Sequence, residues 1–181
     1  MAVDRADLQK MAIEHYISLL AGMDAQAPFG QFMLDYGSYH VAAPRPPRLK
    51  TRMPTRCFSN AQRAVVAAVS AGRKPLTYAE GYACSSGLAV CVPIHHAWLI
   101  DDEGRVVDQT WQSPETSTYF GVAFSTDYVM AKAEEYGRAY NSLIDDRRDR
   151  WRLLNDPSVA AEAIIRPRRD AGIVSMVPGG P

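Results

Sequence analysis

Apolar residues recur every three or four positions from Asp4 to Met23, where Leu8, Met11, Ala12, Tyr16 and Leu19 share one side. This predicts an amphipathic helix with that side facing inward. Gly30 to Arg56 then carries Pro44, Pro46, Pro47 and Pro54 and shows no period, so it reads as a long irregular wrap that walls or covers a site. Helical spacing returns from Pro54 to Ala71, with Thr55 as N-cap and Gly72 as stop. Phe58, Ala61, Val65 and Val69 form its apolar stripe, widened by Ala64 and Ala68. The pattern next changes to strands: Leu76–Ala83, Ala89–Ile100, Arg105–Thr110 and Thr118–Phe124. Thr126 caps a last long helix with Val129, Ala133, Tyr136, Tyr140 and Leu143 at helical spacing. Asp145 to Arg152 mixes both charges and reads as a solvated helix surface rather than a nucleic-acid site. The order of elements predicts an α+β domain over residues 1–165, helices on one antiparallel sheet, and a flexible tail over 166–181.

Chemistry sits on three neighbouring elements. Cys57 falls in the first turn of the 54–71 helix, where unpaired backbone N–H groups and the helix dipole favour a thiolate. No acidic residue occurs between Asp35 and Glu80, while Arg45, Arg48, Lys50, Arg52, Arg56, Arg63, Arg73 and Lys74 do, adding a positive field. His96 and Asp108 lie on consecutive strands joined by Asp102-Glu103-Gly104, a tight loop with Gly104 in the left-handed position. Closing that loop on Asp101 and Arg105 puts His96 opposite Thr110 and diagonal to Asp108, so both face the same way. A two-residue loop would put them on opposite faces. Cys57, His96 and Asp108 thus supply a nucleophile, a base and a group that orients the base. His95 points away from His96 and is read as structural, which also argues against one metal ion held by both histidines and a cysteine.

Composition narrows the classes. The chain has 181 residues, 47% of them hydrophobic, and a formal net charge of zero, which fits one sizeable core. No apolar run approaches the roughly 18 residues of a membrane span, and Met1 to Lys10 is not signal-like, so a cytoplasmic location is expected. Cys57, Cys84 and Cys91 show no paired zinc spacing. Cys84 and Cys91 could bridge a hairpin around Ser85-Ser86-Gly87, but reducing conditions favour free thiols.

Cys57 at a helix start, Tyr78-Ala79-Glu80-Gly81-Tyr82, His96-Ala97-Trp98 and Asp108-Gln109-Thr110-Trp111 occur in the order seen in the transglutaminase-like superfamily, a branch of the papain-like thiol enzymes. The chain resembles that family from Pro54 to Trp111. It departs from the pattern at Gln109, where the family has Pro, and in the residues flanking Cys57. The resemblance implies a papain-like α+β fold, with the nucleophile helix packed on an antiparallel sheet and further helices at both ends. It also implies Cys57 as nucleophile, His96 as general base and Asp108 as its orienter, with no cofactor and no metal. The expected activity is acyl transfer to water on a peptide or protein amide, as a thiol protease or deamidase, with transamidation when an amine accepts. The acid-free segment adds a preference for anionic groups. The alternative is the same fold kept as a protein-binding module without catalysis.

Overall fold

The computed structural model describes residues 4–166 apart from positions 48, 86, 88, 89 and 138. Residues 167–181 of the tail expected over 166–181, the basic residue Arg48, Ser86 of the Cys84–Cys91 turn and the start of a strand at Ala89 lie outside the described residues. The architecture is α+β: an antiparallel, curled sheet with several helices.

Two helices open the chain, α1 (Arg5–Ala21) and α2 (Ala27–Tyr36), followed by β1 (Ser38–His40). The inward side of α1 is not the one expected. Gln9, Ile13, Ile17 and Leu20 are buried, whereas Leu8, Met11 and Leu19 are exposed. The helix carries two apolar stripes, and the sheet takes the one whose Gln9 Oε1 can accept the Thr118 hydroxyl at 2.8 Å. The segment expected to be irregular from Gly30 is helical as far as Tyr36, then extended.

After the loop 41–56 comes α3 (Cys57–Ser70). Its cap residue is Arg56, with no side-chain cap bond, rather than Thr55, which takes φ +68°. A β-branched residue is rarely found there. The sheet continues with β2 (Thr77–Cys84), β3 (Ile94–Ile100), β4 (Val106–Val107) and β5 (Thr118–Phe124). Pro93, without an N–H, precedes β3 and shortens the expected strand. Helix α4 (Thr126–Glu135), capped by Ser125, ends before Gly137 at φ +57°, so Tyr140 and Leu143 belong to no helix. The mixed-charge run is not a helix surface either: it turns back so that the Asp146 carboxylate accepts Tyr136 Oη at 2.6 Å and sits 3.7 Å from Lys132 Nζ. Short helices α5 (Arg152–Asn155) and α6 (Pro157–Ala163) lead to β6 (Ile164–Ile165).

Strands run in the order β1-β5-β2-β3-β4, all antiparallel, with β6 also on β5. The curl brings the two ends of this order together, since Val41, just after β1, bridges Arg105 and accepts the N–H of Val106 at 2.8 Å. The convex face carries the main core with α1 to α4, including Ile13, Met33, Val65, Tyr78, Leu99 and Phe124. The concave face holds a second cluster of Ala79, Ala83, Trp98, Ile100, Val106 and Tyr119. Small residues make room for the large rings there: a Cβ on Gly121 would stand 2.7 Å from Trp98 Cη2. Trp98 Nε1 donates to His40 Nδ1 at 2.9 Å, and burial pushes the His40 pKa down to about 4, which keeps that nitrogen an acceptor. Among the described residues no helix is long and apolar enough to cross a membrane.

Candidate active site

The β3–β4 hairpin has the register expected from its loop. Gly104 takes φ +77°, its N–H bonds Asp101 O at 3.0 Å, and Ile100 and Leu99 pair with Val106 and Val107. Pairing then stops. The Asp108 Oδ1 accepts the N–H of Thr110 at 2.7 Å and of Trp111 at 3.3 Å, so the carboxylate folds its own backbone out of the sheet. This is why β4 spans two residues and not the six expected. The first turn of α3 is stitched to the departing chain, with Asn60 Nδ2 donating to Thr110 Oγ1 at 3.0 Å and to Met53 O at 2.9 Å.

The structure brings Cys57, His96 and Asp108 together. His96 Nε2 donates to Asp108 Oδ2 at 2.8 Å, and the Cys57 side chain lies near enough to the imidazole to help raise its pKa. Cys57 is 7% exposed, His96 2% and Asp108 fully buried. Burial by itself would lower the His96 pKa, but the bonds to Asp108 and Cys57 outweigh it and raise it to about 9. Burial pulls Asp108 the other way, and its bonds from His96, Thr110 and Tyr119 hold it below the usual carboxylate range. The pair is therefore ionised at neutral pH.

Sequence reading missed three supports of this pair. Tyr119 Oη donates to Asp108 Oδ2 at 3.0 Å, so that carboxylate accepts two side-chain and two backbone donors. Trp111 stacks on the imidazole, ring centroids 4.1 Å apart and planes 11° from parallel, which fixes the ring plane and excludes water from one side. Asn60 ties the nucleophile helix to Thr110. Strand alternation puts Tyr119 on the face of Ala123, but nothing in the linear pattern pairs β5 with β2 and so brings it to Asp108.

His95 faces the other side of the sheet, as expected, and forms a second histidine–carboxylate pair. Its Nε2 donates to Glu80 Oε1 at 2.9 Å. Glu80 is fully buried and also accepts Tyr78 Oη at 2.8 Å, the N–H of Leu143 at 2.8 Å and of Ile144 at 3.3 Å, and Ser142 Oγ. One carboxylate thereby latches the segment after α4 onto the sheet. All three cysteines are free, and burial pushes the Cys84 pKa up to about 11. Among the described residues no three His, Cys, Asp or Glu side chains are grouped so as to hold a metal ion. No protein-family model, curated protein or solved structure matches the chain.

Gln109 stands where the resembled family has Pro, and it is 94% buried with Oε1 unpartnered. An unpaired buried acceptor costs on the order of 1–3 kcal/mol. Gln109→Leu is therefore expected to raise unfolding free energy by about 1 kcal/mol, read by urea denaturation; no gain would mean that Oε1 has a partner in solution.

Proposed function

We propose that the protein is a thiol-dependent acyl-transfer enzyme of papain-like, transglutaminase-like type, with Cys57 as nucleophile, His96 as acid–base group and Asp108 as its orienter. The observation that carries this reading is the buried His96–Asp108 hydrogen bond, with the Cys57 side chain beside the same imidazole and the two partners together raising its pKa to about 9. A positively charged imidazole beside a thiol at a helix N-terminus favours the anionic nucleophile.

The chemistry follows in two halves. Cys57 Sγ bonds to the carbonyl carbon of an amide or ester, and the tetrahedral oxyanion collapses as the bond to the leaving group breaks. His96 gives its proton to the departing nitrogen or oxygen. Water then attacks the thioester, His96 takes its proton, and the acid leaves with the thiol pair restored. An amine in place of water gives transamidation. The backbone N–H of Cys57, first residue of α3, has no intrahelical acceptor and is available to the oxyanion. Hydrolysis of a peptide or protein amide, by proteolysis or deamidation, is the preferred form because it needs only water as acceptor. A preference for anionic groups rests on Lys50, Arg52, Arg56 and Arg73, since Arg45 donates to Trp111 O, Arg63 lies over Tyr140 and Lys74 pairs with Asp102.

The competing reading is a binding module, favoured by the near closure of Cys57. An activated ester separates the two. With p-nitrophenyl acetate the enzyme is expected to gain one acetyl group, mapped to Cys57 by peptide mass spectrometry, and to lose it on adding hydroxylamine or a primary amine. Protein that stays unacylated at Cys57, or acylates equally at Cys91, overturns the catalytic reading.

A further inference from the structure

On the convex side of the sheet lies a pocket of about 240 Å³, with His95, the residue before His96, in its wall. Its floor is aromatic: Phe29 and Tyr82 are buried, and His95 meets both rings, at 5.4 Å and 5.6 Å between centroids. His95 also meets the ring of Phe58 at 5.1 Å, and Phe58 follows Cys57 on α3 while His96 follows His95 on β3. One neighbour of the proposed catalytic pair, His95, thus lines the pocket, and the other, Phe58, packs against its ring from behind.

The rim is unusual. Trp151 and Arg150 are both left-handed, at φ +53° and +52°, a conformation that costs a non-glycine residue roughly 1–2 kcal/mol. This strained turn does not bury the indole: Trp151 is 40% exposed and stands on the pocket rim. Its Nε1 donates to Asp145 Oδ1 at 2.8 Å, which fixes the ring against the opening. The segment is anchored from beneath by Glu80, through Ser142, Leu143 and Ile144.

Charge narrows the occupant. Glu80 already accepts from five groups, counting Tyr78, His95, Ser142, Leu143 and Ile144. Asp145 is shared between Trp151 and Arg147 Nε, the latter at 3.8 Å. Among the described residues that line the pocket, no carboxylate or guanidinium is left without a counterpart, so neither a cation nor an anion is called for. An aromatic floor with a balanced polar rim suits a flat, neutral ring.

We propose that this pocket receives an aromatic side chain of the peptide whose carbonyl is delivered to Cys57, making the protein selective for phenylalanine- or tyrosine-like residues close to the reacting bond. The proposal rests on the catalytic reading of Cys57 and His96, and the test separates the two. Dipeptidyl acyloxymethyl ketones carry Phe, Ala, Lys or Asp at each of the two positions before the reactive carbon; Cys57 Sγ bonds to that carbon as the carboxylate leaves. Labelling rates are followed by intact mass. At one position the Phe probe is expected to react at least about ten-fold faster than Ala, Lys or Asp.

Trp151→Gly removes the wall while suiting the left-handed turn, and should cut that ratio to about two-fold or less. Leu154→Trp, which fills the pocket and leaves the turn intact, should do the same. Iodoacetamide, which needs no pocket, is run in parallel on the wild-type protein and on His96→Phe. Fast, His96-dependent alkylation without a Phe preference overturns the pocket and leaves the catalytic pair standing. A Phe preference that survives both pocket variants also overturns it. Slow alkylation by every reagent, indifferent to His96, overturns both readings.

Discussion

His96→Phe is expected to slow iodoacetamide alkylation of Cys57 by about ten- to a hundred-fold near pH 6.5, with Cys91 unchanged. Phenylalanine keeps a flat ring under Trp111, so access to the 7%-exposed thiol is altered little. What it removes is the protonated imidazole whose charge is coupled to the Cys57 side chain. Cys84 serves as the control for folding, since it is fully buried and its pKa is pushed up to about 11; label there would report opening of the core. Cys57→Ser should abolish acyl transfer altogether, because a hydroxyl is far too weak an acid to pass its proton to this imidazole before attack. An alkylation rate at Cys57 that His96 does not influence would sink the proposed mechanism.

The second large effect is on stability and its dependence on pH. His96 has its pKa raised in the folded state to about 9 from the 6.5 of an unperturbed histidine, so its protonated form stabilises the fold. That contribution is complete below about pH 6.5 and disappears as pH rises through about 9. For a buried imidazole it is on the order of 3 kcal/mol. Asp108 acts in the opposite sense: its lowered pKa stabilises the fold above the unfolded value of about 3.9 and is lost as acid protonates it. Wild-type unfolding free energy is thus expected to fall by about 2–3 kcal/mol between pH 6.5 and 9 in urea titrations.

Asp108→Asn should flatten that alkaline slope, since the charge that holds the proton on His96 is gone and burial then favours neutral imidazole. It should also cost about 1–3 kcal/mol at pH 6.5. An amide has one acceptor oxygen, whereas His96 and Tyr119 approach one side of the carboxylate and the Thr110 and Trp111 N–H groups the other. Acyl transfer should drop steeply in the same variant through loss of the oriented, charged base. An equal alkaline slope in both proteins would show that His96 does not carry the proton.

The site was legible in the chain to the extent that it depends on local rules. Gly104 in a three-residue loop sets the parity of the β3–β4 hairpin, and parity alone places His96 and Asp108 on one face. The start of α3 near Cys57 follows from apolar spacing after a run of loop residues, and β5 from its alternation. Local rules failed where a long-range contact overrode them. Gly30 looks like a helix breaker, yet it lies inside α2 because a Cβ there would stand 2.2 Å from Ala21 N in α1. Leu8, Met11 and Leu19 make as good an apolar stripe as Ile13, Ile17 and Leu20, and the choice depends on Thr118, more than a hundred residues later, donating its hydroxyl to Gln9.

The same division runs through the chemistry. Residue type and spacing suffice for a thiol, an imidazole and a carboxylate in order, because strand period and helix ends are properties of neighbours in sequence. Their environment is not such a property. Tyr119 reaches Asp108 only because β5 pairs with β2 and the sheet curls until Val41 meets Arg105. Trp111 reaches His96 only because Asp108 turns the backbone out of the sheet. Burial, which lowers the His96 pKa, and the partners that raise it to about 9 both arise from that three-dimensional closure. Periodicity can say which face a side chain takes, but not which distant strand will cover it.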